Sequence, residues 1–284
     1  MHYRHWILFS IPLLLAIGLF AEESPTTEQP DPKEIVRQVA ANYRRDIDAA
    51  RDYTYRQRSA QQQFDKKGSL KSASIRTWEV SVLFGQTYGK LIAIDDKPLS
   101  ETEQKREEER LNKFFDKRKE ISDEDRTKQT EEENRRFQRE IADELPQMLN
   151  YEIIGEEIFD GKPVWVIQAT SRKDYKPQSR SGKMLSKLSG KVWITKTDLT
   201  WVKLEANLEQ DFSVGWFLFK LHKGTRIEAE YTLVNEDTWL PRRTFIDGGA
   251  RLAWSTIRFI SETTYSQYQK FTSDVKVMFD NAKE

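Results

Sequence analysis

Few side chains in this 284-residue chain are of a kind that performs covalent chemistry. Cysteine is absent, which excludes thiol nucleophiles, Cys-based zinc sites, iron–sulfur clusters and disulfide scaffolds. Of three histidines, His2 and His5 fall in a leader-like N-terminus, and His222, beside Lys223-Gly224, has the setting of a turn residue. One remaining histidine cannot build a multi-His metal centre, so only carboxylates could hold a metal, and they would suit a hard cation. No EF-hand spacing, Gly-rich phosphate loop or Gly-x-Ser-x-Gly elbow occurs. The stretch Ser179-Arg180-Ser181-Gly182-Lys183 joins basic residues to a glycine but lacks the strand-to-helix setting of a phosphate cradle, and it reads as a mobile loop. Acidic residues are plentiful, yet no spacing singles out an acid/base pair. No catalytic residue, metal or cofactor is therefore expected.

What the chain offers instead is apolar surface, with eight Trp and fifteen Phe, much of it on segments of strand-like period. The elements that would position it can be read in order. Asp31 as N-cap, Pro32 at the first helical position and Glu34 three residues on predict a helix start. Ile35, Val36, Val39, Ala40, Tyr43 and Ile47 give that helix one apolar stripe. From Tyr53 the period becomes two: Tyr53 and Tyr55, then Trp78, Val80 and Val82, alternate with polar residues, predicting half-buried antiparallel strands. Residues 101–145 shift abruptly to charge runs with sparse apolar stripes, predicting two amphipathic helices broken near Ser122. After Tyr151 short strands return between turns such as Asp160-Gly161, Asn235-Glu236-Asp237 and Asp247-Gly248-Gly249. About eleven strands result, one of them running from Phe212 to Leu221. The expected fold is α+β: a large curved antiparallel sheet wrapped over the N-terminal helix and carrying a charged helical insertion.

Lys+Arg and Asp+Glu balance at 46 each, so no global field draws polyanions, and nucleic acid is not an expected partner. Arg4 and the apolar run from Ile7 to Ala21 have the length of a signal-peptide core, shorter than a membrane span. Residues 1–21 are read as a signal peptide, 22–30 as a flexible linker and 31–284 as the folded domain. The expectation is an exported, periplasmic protein, and without cysteine no lipobox is possible.

Residues 151–271 resemble the LolA/LolB-like superfamily of periplasmic lipoprotein and lipid carriers, in particular proteins described as outer-membrane lipoprotein-sorting. The resemblance is carried by Gly161-Lys162-Pro163-Val164-Trp165-Val166-Ile167, by Gly190-Lys191-Val192-Trp193-Ile194-Thr195 leading to Trp201-Val202-Lys203-Leu204-Glu205, by Arg226-Ile227-Glu228-Ala229-Glu230-Tyr231, and by Trp239-Leu240-Pro241-Arg242. It implies that the curved sheet is an incomplete β-barrel, a half-barrel with an apolar cavity for acyl chains, no enzymatic residues, and lipid or lipoprotein acyl chains as cargo, with a membrane-bound donor or acceptor protein as a further partner. A lipid-responsive sensor or adaptor that binds a protein partner is the alternative. By strand parity, Trp78, Val80, Val82, Trp165, Ile167, Val192, Ile194, Val202, Leu204, Ile227, Ala229 and Tyr231 should face the interior. Leu111, Phe114, Phe115, Phe137 and Ile141 would form a lid if the insertion lies across the mouth.

Overall fold

Helix α1 (Pro32–Ala50) begins where its capping residues predict: the Asp31 side chain accepts the Lys33 amide at 2.9 Å and proline occupies the first turn. Glu34 does not close a capping box; it accepts from Arg37 and Gln38 instead. The chain is taken here from a computed structural model, which describes residues 29–83, 86–137, 143–214, 219–252 and 255–270. After α1 come β1 (Tyr53–Phe64), β2 (Leu70–Leu83), β3 (Gln86–Ile94) and β4 (Lys97–Pro98). The insertion supplies α2 (Glu101–Lys119) and α3 (Asp123–Phe137), and α4 (Leu145–Met148) leads into β5 (Leu149–Phe159) and β6 (Lys162–Ser171). Then follow α5 (Arg180–Leu185), β7 (Leu188–Thr195), β8 (Trp201–Leu208), β9 (Phe212–Val214), β10 (Phe219–Leu221), β11 (Arg226–Val234), β12 (Thr238–Leu252) and β13 (Ser255–Lys270).

The thirteen strands form one antiparallel sheet in the order β4-β3-β2-β1-β13-β12-β11-β8-β7-β6-β5, with β10 beside the end of β12 and β9 beside β10. It ends at β4 and β5 without closing into a barrel. Tight hairpins set the register: Asp95-Asp96, Asp160-Gly161 and Asn235-Glu236 all have positive φ, as a turn that continues the strand twist requires. Two sequence expectations change. The strand from Phe212 to Leu221 is two short strands, and Trp216, Phe217 and Leu218 between them lie outside the described residues. Ser179 to Lys183 is no loop: Ser179 caps the start of α5, its hydroxyl accepting the Gly182 amide at 2.8 Å.

Alternation gives the sheet two chemically distinct faces. On the face toward α1, Ile35, Val36 and Val39 pack with Ile167 and Ile194 in a buried cluster, each such side chain contributing roughly 1.5–3 kcal/mol. On the opposite face of β6 and β7, Val164, Val166 and Trp193 pack with Val202 and Trp239. Elsewhere that outer face is a charge ladder, with Arg243 between Glu228 and Glu262 and Arg258 on Asp247.

Candidate functional site

Between α1 and the α1-facing side of β5 to β8 lies a partly open cavity of about 270 Å³. The 3.6-residue period of α1 sets Val36, Val39, Ala40 and Tyr43 into it. The two-residue period of the strands sets Leu149 and Tyr151 of β5, Leu188, Val192 and Ile194 of β7, and Leu204 and Ala206 of β8 opposite them. Trp201 closes the side, its ring 5.8 Å from Tyr43 and 5.2 Å from Tyr231. The wall is apolar in fact as well as in residue type. The Tyr151 hydroxyl turns away to donate to the Leu145 carbonyl at 2.6 Å, and burial pushes the Tyr151 and Tyr231 phenols well above their ordinary value. Gly190 is required for the shape: a Cβ there would stand 1.9 Å from the Glu205 carbonyl oxygen, on the backbone of the next strand.

One end of the cavity is closed by Leu145 of α4 and Leu185 of α5. Helices of four and six residues do not hold themselves; a buried carboxylate clips them together. Glu144 accepts from the Gln178 amide at 2.6 Å, from the Tyr175 hydroxyl at 3.4 Å and from the Ser179 hydroxyl, while Arg172 donates to the Gln147 carbonyl at 2.9 Å. A Cβ on Gly182 would strike the Glu144 carboxylate, so the close approach of α5 depends on that glycine.

Of the residues expected inside, Val192, Ile194 and Leu204 line the cavity. Ile167 and Trp165 sit beside it in the core under α1. Ala229 pairs with Leu204 and Ile227 with Ala206 on the same face, and Tyr231 reaches the site through Trp201. Trp78, Val80 and Val82 are on this face but on β2, which four strands separate from β8. Val202 does not face inward. The β7–β8 register shifts between Trp193 and Ile194, so Val202 is the extra residue of a bulge and is fully buried in the cluster on the other face.

The lid candidates fall elsewhere. Tyr88 pairs with Ser81 while Val80 pairs with Gly89 and Tyr55, so Tyr88 projects from the face opposite Val80. Phe114 packs on Tyr88 with ring centroids 4.8 Å apart, and Phe115 lies against Phe114. Leu111 is half-buried on the same helix, and none of the three lines the cavity. In this structure α2 thus sits at the β3 edge, where apolar stripe and edge match. The Phe137 side chain and Ile141 lie outside the described residues. The lining residues outside the expected set are those of α1, β5, α4 and α5, together with residues of β6 to β8 such as Ala169, Leu188, Trp201 and Ala206. The stripe on α1 was visible, and an apolar helix stripe facing a concave sheet is the signal that would have found four of them.

His222 is a turn residue whose carbonyl accepts from Thr225, with Asp211 Oδ1 3.7 Å from its Nδ1. Among the described residues no group of three or more His, Asp or Glu side chains could hold a metal ion, and no helix is long and apolar enough to cross a membrane.

No family model matches the chain, and no curated protein does. Solved structures similar to it include a domain described as a putative outer membrane lipoprotein-sorting protein from Vibrio parahaemolyticus, at 12% identity over 85% of this chain and 94% of that one, TM-score 0.34. Others are a DUF1329 family protein from Desulfovibrio piger, at 12% identity over 86% and 95%, TM-score 0.31, and a LolA superfamily protein from Nitrosomonas europaea, at 9% identity over 88% and 97%, TM-score 0.27. Superpositions this loose leave the chemistry of the site to be read from its own lining.

Proposed function

We propose that this protein is a non-catalytic carrier, exported to the periplasm, that shelters an acyl chain of a lipid or lipoprotein between α1 and strands β5 to β8. The observation that carries the reading is the apolar cavity of about 270 Å³, walled mainly by aliphatic and aromatic residues of α1, of strands β5 to β8 and of the short helices α4 and α5. A partly open recess of this size with an apolar wall leaves hydrocarbon facing water, a cost that an apolar occupant removes. The energetic case is simple: at roughly 0.8 kcal/mol per buried methylene, a sixteen-carbon chain costs on the order of 12 kcal/mol to hold in water. The volume is just below the ~300–1,000 Å³ of ordinary ligand pockets, so a full chain requires the wall to yield. The part built to yield is the α4–α5 end, whose two short helices are held by side-chain hydrogen bonds to Glu144.

Native mass spectrometry of the full chain after gentle extraction should find co-purified lipid, and a fluorescent fatty acid should bind the delipidated protein. Leu204→Trp puts a ring into the cavity and should lower that uptake at least tenfold, about 1.4 kcal/mol. No lipid and no uptake, or full uptake by a folded Leu204→Trp protein, would overturn the reading.

A further inference from the structure

The segment that closes the cavity is also unlike the rest of the chain in charge. Residues 172–187 contain Arg172, Lys173, Lys176, Arg180, Lys183 and Lys187 against a single acidic residue, Asp174, in a chain whose formal charge is zero. Two of these cations are engaged: Arg172 pairs with Asp174 at 2.6 Å, and Lys187 Nζ donates to the Asp211 carbonyl at 2.6 Å. Lys173, Lys176 and Lys183 are exposed. None of the three has an ion-pair partner among the described residues. The same segment is apolar on its inner side. Leu185 lines the cavity, and Met184 and Leu185 pack on Leu188, Ala206, Leu208 and Phe212. The wall element therefore presents hydrocarbon inward and free ammonium groups outward, within one short stretch of chain.

An amphiphile with its chain under α1 would leave its head at the boundary of the cavity, and Lys183 stands two residues before Leu185, on the stretch of chain that lines that end. Resting on the carrier reading, we infer that the ligand is an anionic amphiphile, whose acyl chain occupies the cavity and whose phosphate or carboxylate head is held by the lysines of residues 172–187. The neighbouring Glu144 carboxylate is buried and faces Gln178, Tyr175 and Ser179, whereas the lysines are exposed.

The test compares two single-chain lipids of equal chain length below their aggregation limit, lysophosphatidylglycerol and zwitterionic lysophosphatidylcholine, on the delipidated full chain. The anionic lipid should bind about tenfold tighter at low ionic strength, and the preference should shrink with added salt, as exposed charge interactions do. Charge reversal by Lys176→Glu with Lys183→Glu should abolish the preference while leaving lysophosphatidylcholine binding unchanged, which also shows the variant folded. Inorganic phosphate should compete for the anionic lipid only at far higher concentration than the lipid itself, because it lacks the chain. Equal binding of the two lipids, or a preference that survives charge reversal, would overturn the inference and leave the carrier standing. Loss of binding to phosphatidylglycerol vesicles with the single-lipid preference intact would also overturn it, marking a membrane contact in place of a head-group site. Failure to bind either lipid would instead remove the carrier reading itself.

Discussion

One row of cross-strand partners crosses nearly the whole sheet, Ile153-Ile167-Val192-Leu204-Ala229-Thr244-Thr263-Ser59-Arg76, and it divides the α1-facing side into two halves. From β5 to β11 the row is hydrocarbon; from β12 to β2 it is hydroxyl and guanidinium, with Thr263 donating to Ser59 at 3.1 Å. The first half is covered by α1 and contains the cavity. The second is knitted along this row by its own polar side chains, and the apolar residues it does carry on the same face, Trp78 and Val80 of β2 beside Tyr55, do not line the cavity. A concave sheet is therefore not a cavity by virtue of its curvature: which stretch can hold grease is decided by a row of about five residues contributed by strands far apart in sequence.

The sharpest way to break that comparison uses one glycine from each half. Gly190 in the apolar half would place a Cβ 1.9 Å from a backbone oxygen, whereas the Cβ of Gly89 in the other half would meet Trp78 at 3.6 Å, an ordinary contact. Gly190→Ala should cost at least ~3 kcal/mol because the obstacle is backbone that cannot rotate aside, and Gly89→Ala less than ~1 kcal/mol. Urea denaturation of the two proteins checks this. Equal losses would mean that the halves are packed with the same tolerance and that the close β7–β8 approach is not a constraint.

The second half has its own fixed point, at its edge. Glu107, buried on α2, accepts from the Leu91 amide at 3.1 Å, and Arg110 donates to the Gly89 carbonyl; the two side chains stand where a further strand would place a carbonyl and an amide. Glu107 also accepts from Tyr88 and pairs with Arg110 at 2.5 Å. The insertion thus caps an edge strand that would otherwise be open to pairing. Glu107→Ala should cost ~2 kcal/mol by orphaning the Leu91 amide and the Tyr88 hydroxyl. Hydrogen exchange should show α2 losing protection while α1 keeps it, and uptake of the fluorescent fatty acid should not change. Diminished uptake would tie α2 to the cavity after all.

How much of this was legible beforehand follows from what is local. The period of α1, the change to period two at Tyr53 and the Asp-Gly turn at Asp160-Gly161 are local, and the α+β open sheet follows from them. Parity is local too, and Val192, Ile194 and Leu204, which it places on the inner face, line the cavity. The row above is not local. It depends on register between strands up to about two hundred residues apart, so Trp78 and Val80 read the same as Val192 and Ile194 although only the latter face α1. Val202 was misread because a bulge flips parity without leaving a residue signature. The stripe of Phe114 and Phe115 was visible, but its partner, Tyr88 on the far side of β3, could not be known from α2 alone.

The smallest expected effect also lies at that edge. Tyr88 is buried and donates to Glu107 at 3.1 Å, with the Phe114 ring against it. Burial, aided by the adjacent Glu107 carboxylate and partly offset by Arg110, pushes its phenol up to about 12, against ~10 in an unfolded chain. The folded state thus holds the proton that the unfolded state releases first. The stabilisation is complete below pH ~10 and is lost as the pH rises through about 12. Tyr88→Phe should therefore flatten the fall of stability between those two values, after allowing for a constant offset from the lost hydrogen bond. Urea midpoints of both proteins measured across the window decide it. Burial also raises Tyr55 and Tyr268 in this half and Tyr43, Tyr151 and Tyr231 near the cavity, so the alkaline fall is shared and the Tyr88 share is modest. An unchanged slope would mean that the α2 edge opens before Tyr88 ionises, which would make the capped edge the looser of the two regions at high pH.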